Sequence, residues 1–126
     1  MPVPAEATAS RTVLVVDDEW IIAAATGMML RELGWQVVEA HSAAQAIAHL
    51  DKGGALDLLI TDYSMPKMNG GQLARHARDL HPALPILITT GYSDVPGGLE
   101  AGVRALRKPY MLDQLRSAIE GLLGSP

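Results

Sequence analysis

Four places in this 126-residue chain set reactive polar side chains at the ends of short apolar runs. Asp17, Asp18 and Glu19 follow TVLVV (12–16), and Asp62 follows DLLIT (57–61). Thr89 and Thr90 stand at the end of PILIT (85–89), and Arg107, Lys108 and Pro109 follow VRAL (103–106). Polar residues often end strands, and that covers any one group. It does not explain acids at two ends, hydroxyls at a third and a lysine at the fourth. Carboxylates converging in one crevice repel one another unless a cation joins them. No His or Cys stands at these ends, so the donors are hard oxygens, which select Mg²⁺ or Mn²⁺ over Zn²⁺. Lys108 adds a second positive charge, and the Thr90 hydroxyl can donate one hydrogen bond. A metal, a lysine and a hydroxyl around one Asp make a place for a phosphoryl group. The Asp oxygen would be the nucleophile, and the cations would neutralise the equatorial oxygens.

Such a convergence needs a scaffold that brings strand ends together. The runs 12–16, 57–61 and 85–89 lack polar alternation, as strands buried on both faces do. WQVVE (35–39) reads as a further strand and 103–106 as a short fifth. Between them lie helical patterns. Ile22, Ala25, Met29 and Leu33 recur at steps of three and four over 19–33, stopped by Gly34. Ser42 and Gln45 form a capping-box pattern before a helix carrying Ala43, Ala46, Ile47 and Leu50. Asn69 can cap a helix burying Leu73, Ala77 and Leu80. Met111, Leu115, Ala118 and Leu122 mark a last helix ending at Gly124. Pro96, Gly97 and Gly98 leave room for only a stunted fourth helix in 91–102. The expectation is an α/β fold with a five-stranded parallel sheet covered on both faces. Chemistry in such folds lies beyond the carboxyl ends of the strands.

Composition narrows the rest. One domain fits the length, and 48% hydrophobic against 19% charged residues excludes a disordered chain. The absence of cysteine excludes disulfides, thiol catalysis and Fe–S clusters and suits a cytoplasmic setting. A net charge of −4 with no basic stripe argues against nucleic acid. The apolar stretch 20–30 is too short to span a bilayer. Residues 1–10 read as a flexible lead-in, neither signal peptide nor anchor.

The strings LVVDDE (14–19), DLLITDYSMPKMNG (57–70), PILITTGYSD (85–94) and RKPY (107–110) resemble the receiver domain of bacterial response regulators, over 11–123. Residues 124–126 lie past it. The resemblance implies a flavodoxin-like (βα)5 doubly wound fold with strand order 2-1-3-4-5, an order for which a family member is a standing example. It implies that Asp62 accepts a phosphoryl group from a phosphohistidine on a sensor kinase or a histidine phosphotransfer protein. Asp18 would bind Mg²⁺ directly, Asp17 mainly through water, and the Ser64 backbone carbonyl would complete the protein ligands. Thr90 and Lys108 would contact the phosphoryl group, with the Lys108–Pro109 bond cis. The module would catalyse only its own phosphorylation and slow dephosphorylation. The output would be a protein contact or a relay to a histidine.

The sequence departs from the family at two points. Many receivers place Tyr or Phe three residues before the lysine, where this chain has Ala105. Tyr92 is the nearest replacement for that switch residue. Thr90 and Lys108 are also only eighteen positions apart, shorter than usual by about one helical turn. The string ITTGYSD (88–94) with RKPY (107–110) resembles two groups, the receivers of hybrid histidine kinases and a set of single-domain receivers, both of which often replace that aromatic. Met1 and the short lead-in favour the single-domain form.

Two other readings stay open. A Mg²⁺-dependent phosphatase of the haloacid-dehalogenase type would use Asp17 as nucleophile, though its second acid stands two residues on and here the acids are adjacent. A degenerate receiver would act only as a binding module. Asp17 and Asp18 could also merely start a helix, where acids favour the dipole. Trp20 could cover the rim of the pocket or meet a partner. Met65 and Met68 read as packing residues, Lys67 as solvated, and His41, His49, His76 and His81 as surface residues without ligand spacing.

Overall fold

The structure is a computed structural model that describes residues 11–91 and 102–123. Five strands, β1 (Thr12–Val16), β2 (Gln36–Ala40), β3 (Leu58–Asp62), β4 (Ile86–Thr90) and β5 (Val103–Arg107), form one parallel sheet. Their order is β2-β1-β3-β4-β5, the flavodoxin-like order expected. Four helices are described: α1 (Trp20–Glu32), α2 (Ala43–Asp51), α3 (Gly70–Leu80) and α4 (Leu112–Leu123). Residues 92–101, where the shortened helix is expected, the switch candidate Tyr92 among them, and the lead-in 1–10 fall outside the described residues. No described helix is long and apolar enough to cross a membrane.

The period-2 alternation of the strands divides the core into two layers. Leu14, Val16, Leu59, Ile86 and Ile88 pack with Leu50 of α2 and Leu73 of α3. Val13, Val15, Leu58, Ile60 and Leu87 pack with Leu30 of α1 and Leu115 of α4. Burial on both faces is why these strands tolerate no polar alternation. Met65 and Met68 pack against the first layer, as expected, and Lys67 is exposed.

Caps fix where the helices begin. Ser42 Oγ accepts the Gln45 N–H at 3.1 Å, while the Gln45 side chain takes the His41 N–H at 2.8 Å. Asn69 and Gln72 form a full capping box at the start of α3, each side chain bonding the other's backbone.

Three sequence expectations need correction. Leu80, expected on the buried face of α3, is 45% exposed, because it is the last residue of the helix, beyond the stretch that Leu73, Ala74 and Ala77 press against the sheet. The buried face of α1 is Ala23, Thr26, Gly27 and Leu30, and Ala25 is exposed. The helix is apolar nearly all round, so periodicity did not single out a face. Close approach did: a Cβ on Gly27 would lie 3.0 Å from Glu39 Oε2 and 3.4 Å from Val37 Cγ1. His41 is also no surface residue, since its side chain is only 13% exposed. It stacks on Trp20, with ring centroids 3.6 Å apart.

Candidate functional site

Asp17 is the first residue beyond β1, and its N–H donates to Ala40 O at 3.1 Å. That bond continues the β1–β2 ladder by one step and fixes where the side chain emerges. Asp17 Oδ1 then accepts the Glu19 N–H at 2.9 Å, which turns the chain into α1. Asp62 is the last residue of β3, paired with Thr89 of β4. On the next residue, the Tyr63 N–H donates to Thr89 O at 2.8 Å. The sequence put Asp62 just past its strand. Inclusion in the ladder gives it a more rigid base than a loop would.

Lys108 comes from the far side of the sheet. Its N–H donates to Thr90 O at 2.8 Å, and the bond to Pro109 is cis. Its ammonium lies 3.2 Å from Asp17 Oδ2 and 3.1 Å from Asp62 Oδ1. Carboxylate oxygens of Asp17, Asp18 and Asp62 all lie within 4.8 Å of one another. Asp17 and Asp62 are buried, and Asp18 is the more open of the three. Thr90 is buried at the end of β4, and its backbone, through the Lys108 N–H, is the part seen holding the site. Ser64 is exposed on the loop two residues past Asp62. Ala105 lies on β5 opposite Ile88.

Burial pushes the Asp62 carboxyl above the usual carboxylate range. The Lys108 hydrogen bond pulls it back, and the charge of Asp17 reinforces the rise. Burial acts to lower Lys108, but its bond to Asp62 and the field of Asp17 prevail, so it sits above the ordinary lysine range. Three clustered acids thus face one ammonium that pairs with two of them, a set short of positive charge. Hard oxygens in that state fit a metal site of the Mg²⁺ class.

The linkage has a definite sign. The folded metal-free protein holds the Asp62 proton more tightly than the unfolded chain does. Asp62 therefore supports the fold as pH falls and withdraws that support as pH rises through its folded value. Lys108 acts at the alkaline end, its contribution complete below the ordinary lysine range and lost above its raised value. Asp62→Asn leaves Lys108 its Asp17 partner and removes the strained acid. In a chelator at neutral pH the variant is expected to be more stable by about 0.5–2 kcal/mol. The gap should narrow toward about pH 4, where carboxylates take up protons. Urea midpoints across that range measure it, and a gap independent of pH would contradict the assignment.

Two features escaped the sequence reading. The Trp20–His41 stack sits beside the acids, with His41 Nε2 3.5 Å from Glu39 Oε1. Trp20 keeps 68% of its surface exposed, so it is no core residue. The Tyr110 hydroxyl meets Thr26 Oγ1 of α1 at 2.6 Å. A lone Thr in an apolar helix was the available signal for that second contact.

Comparison with known proteins agrees with this arrangement. The response regulator receiver domain family matches residues 13–120. Sensor kinase CckA of Brucella abortus is 31% identical over 121 residues, 90% of this chain, which spans 13% of that kinase. A response regulator receiver domain protein from Clostridium thermocellum superposes with a TM-score of 0.82 at 28% identity, covering 90% of this chain and 94% of that one. The response regulator TrrA of Thermotoga maritima, solved in complex with Mg²⁺-BeF, gives 0.79 at 27% identity, covering 89% and 98%. With the sheet order and the acidic pocket already in place, the matched residues settle the matter: the chain belongs to the response regulator receiver domain family, a signalling module of two-component systems.

Proposed function

We propose that this receiver accepts a phosphoryl group on Asp62 from a phosphohistidine of a sensor kinase or histidine phosphotransfer protein, and passes the signal on by protein contact or relay. The observation that carries this reading is the single ammonium of Lys108 spanning Asp17 and Asp62, with Asp18 alongside. A resident structural ion pair would balance its charges, whereas this one leaves acids in excess.

In the step itself, an Asp62 oxygen forms the new bond to phosphorus as the phosphorus–nitrogen bond breaks. The imidazole leaves with that electron pair. Asp62 is suited to this because its hydration has been stripped and its base lies in the β3–β4 ladder. Lys108 faces the oxygens of the group in transit, and the Thr90 hydroxyl can donate to one of them. A Mg²⁺ or Mn²⁺ ion held by Asp17, Asp18, Asp62 and the Ser64 carbonyl would supply the remaining positive charge. The Mg²⁺-BeF complex of TrrA supports that assignment by similarity.

Intact mass after incubation with Mg²⁺ and acetyl phosphate tests the reading, for wild type beside Asp62→Asn. One labile adduct is expected on wild type and none on the variant. An adduct that persists in Asp62→Asn moves the nucleophile elsewhere, Asp17 being the alternative. Absence of an adduct with acetyl phosphate and with phosphohistidine donors leaves a receiver that works only as a binding module.

A further inference from the structure

Tyr110 is a half-buried titratable group that the phosphoryl chemistry does not use. Its ring packs into the layer formed by Val13, Val15, Leu30 and Leu115. Its hydroxyl bonds Thr26 Oγ1 at 2.6 Å, and Thr26 is 2% exposed. Burial raises the Tyr110 phenol above its usual range, with the Thr26 bond pulling the other way, so it stays neutral.

The placement matters because of what lies on either side. Lys108 leaves β5 two residues earlier, and α4 begins two residues later, at Leu112. The backbone of Lys108 is tied to β4 through Thr90 O. Among the described residues, the Tyr110–Thr26 bond is the polar tie between this exit and α1. The chain enters α1 directly behind Asp17 and Asp18. Acids and lysine from opposite ends of the sequence are thus referenced to one helix.

We propose that Tyr110 is a positioning residue for Lys108, its hydrogen bond to Thr26 holding the 108–110 turn against α1 so that the ammonium stays over Asp17 and Asp62. The kinetic consequence rests on Asp62 being the acceptor; the geometric one does not. Tyr110→Phe keeps the ring and its packing while removing the bond. In that variant Thr26 can turn to a carbonyl of its own helix, which limits the loss of stability. Thr26→Val removes the other partner, and the double variant leaves no unpaired hydroxyl.

The test reads the Lys108 ammonium by ¹⁵N NMR in metal-free protein, and adduct formation with acetyl phosphate at saturating Mg²⁺. Wild type should show an ammonium protected from exchange with water. Tyr110→Phe and Thr26→Val should each lose that protection. Adduct formation should slow roughly 3- to 10-fold, the worth of one hydrogen bond. The double variant should be no slower than either single one. Mg²⁺ affinity should not fall, because the acids keep their places. An unchanged ammonium signal in Tyr110→Phe would overturn the proposal. So would a parallel loss of Mg²⁺ affinity, which marks a merely structural role. If wild type forms no adduct with acetyl phosphate or with a phosphohistidine donor, the acceptor reading fails, and the ammonium signal still decides the role of Tyr110.

Discussion

Lys108→Met is expected to destabilise the metal-free protein by roughly 2–4 kcal/mol and to slow phosphoryl acceptance by about 10²–10³-fold. The first figure follows from what the ammonium faces. Asp17 and Asp62 side chains are 5% and 6% exposed, and Lys108 itself 19%. Removing one partner of a buried pair leaves its counter-charge unpaired, and here two carboxylates are left facing each other. The remaining access to water takes the estimate below that for a fully enclosed pair. Met keeps the apolar stem, so the change reports charge rather than packing. Because a divalent ion can replace the lost charge, Mg²⁺ should raise the urea midpoint of the variant more than that of wild type. The second figure is the usual worth of one preorganised donor on developing phosphoryl charge. Adding Asp62→Asn to Lys108→Met should restore much of the stability and none of the activity. Equal Mg²⁺ responses in wild type and Lys108→Met would show that Lys108 and the ion do not share the carboxylates.

The sequence made the sheet and its chemical ends readable because both are written locally. TVLVV and PILIT are apolar without alternation, and a run buried on both faces has to be central. Asp17, Asp62 and Lys108 sit directly against such runs, so the topology alone brings them together. What was not readable depends on contacts between distant parts of the chain. The face of α1 was misplaced at Ala25 because residues 20–30 are apolar almost throughout, and only Gly27 lying over Val37 and Glu39 fixes the rotation. His41 reads as a surface residue, since nothing in the sequence announces a ring stack with Trp20. The Tyr110–Thr26 bond spans 84 positions and has no periodic signature. Strand ends moved by one residue for a related reason. Whether Asp62 and Thr90 belong to strand or loop is decided by their neighbours' hydrogen bonds, not by their own propensities.

Gly70→Ala should cost about 2–3 kcal/mol of stability and slow phosphoryl acceptance about 10²-fold, although it changes no polar group. Gly70 opens α3 where the helix crosses the end of β3, and its N–H donates to Tyr63 O at 2.8 Å. A Cβ there would press on the Asp62 carbonyl oxygen and lie 2.8 Å from Tyr63 Cα and 3.0 Å from Asp62 C. Every one of these atoms is backbone, so no side chain can swing aside. Either α3 lifts off the strand or the strand end shifts. Overpacking of this kind costs on the order of 1–3 kcal/mol, and the better helix propensity of Ala offsets little of it at a first turn. A shift of the strand end displaces Asp62 itself, and reacting groups tolerate about 1 Å of misplacement poorly. Gly71→Ala is the control. Its Cβ would meet Asn69 Oδ1, the cap acceptor of the Gln72 N–H, at 3.3 Å and a Tyr63 ring carbon at 3.5 Å, contacts that a shift of a few tenths of an ångström relieves without touching the strand backbone. That variant should stay within roughly 0.5 kcal/mol of wild type and keep its activity. Urea midpoints and adduct formation for the two variants separate a steric demand beneath Asp62 from a general dislike of alanine at a helix start. Equal behaviour of the two would remove the steric account.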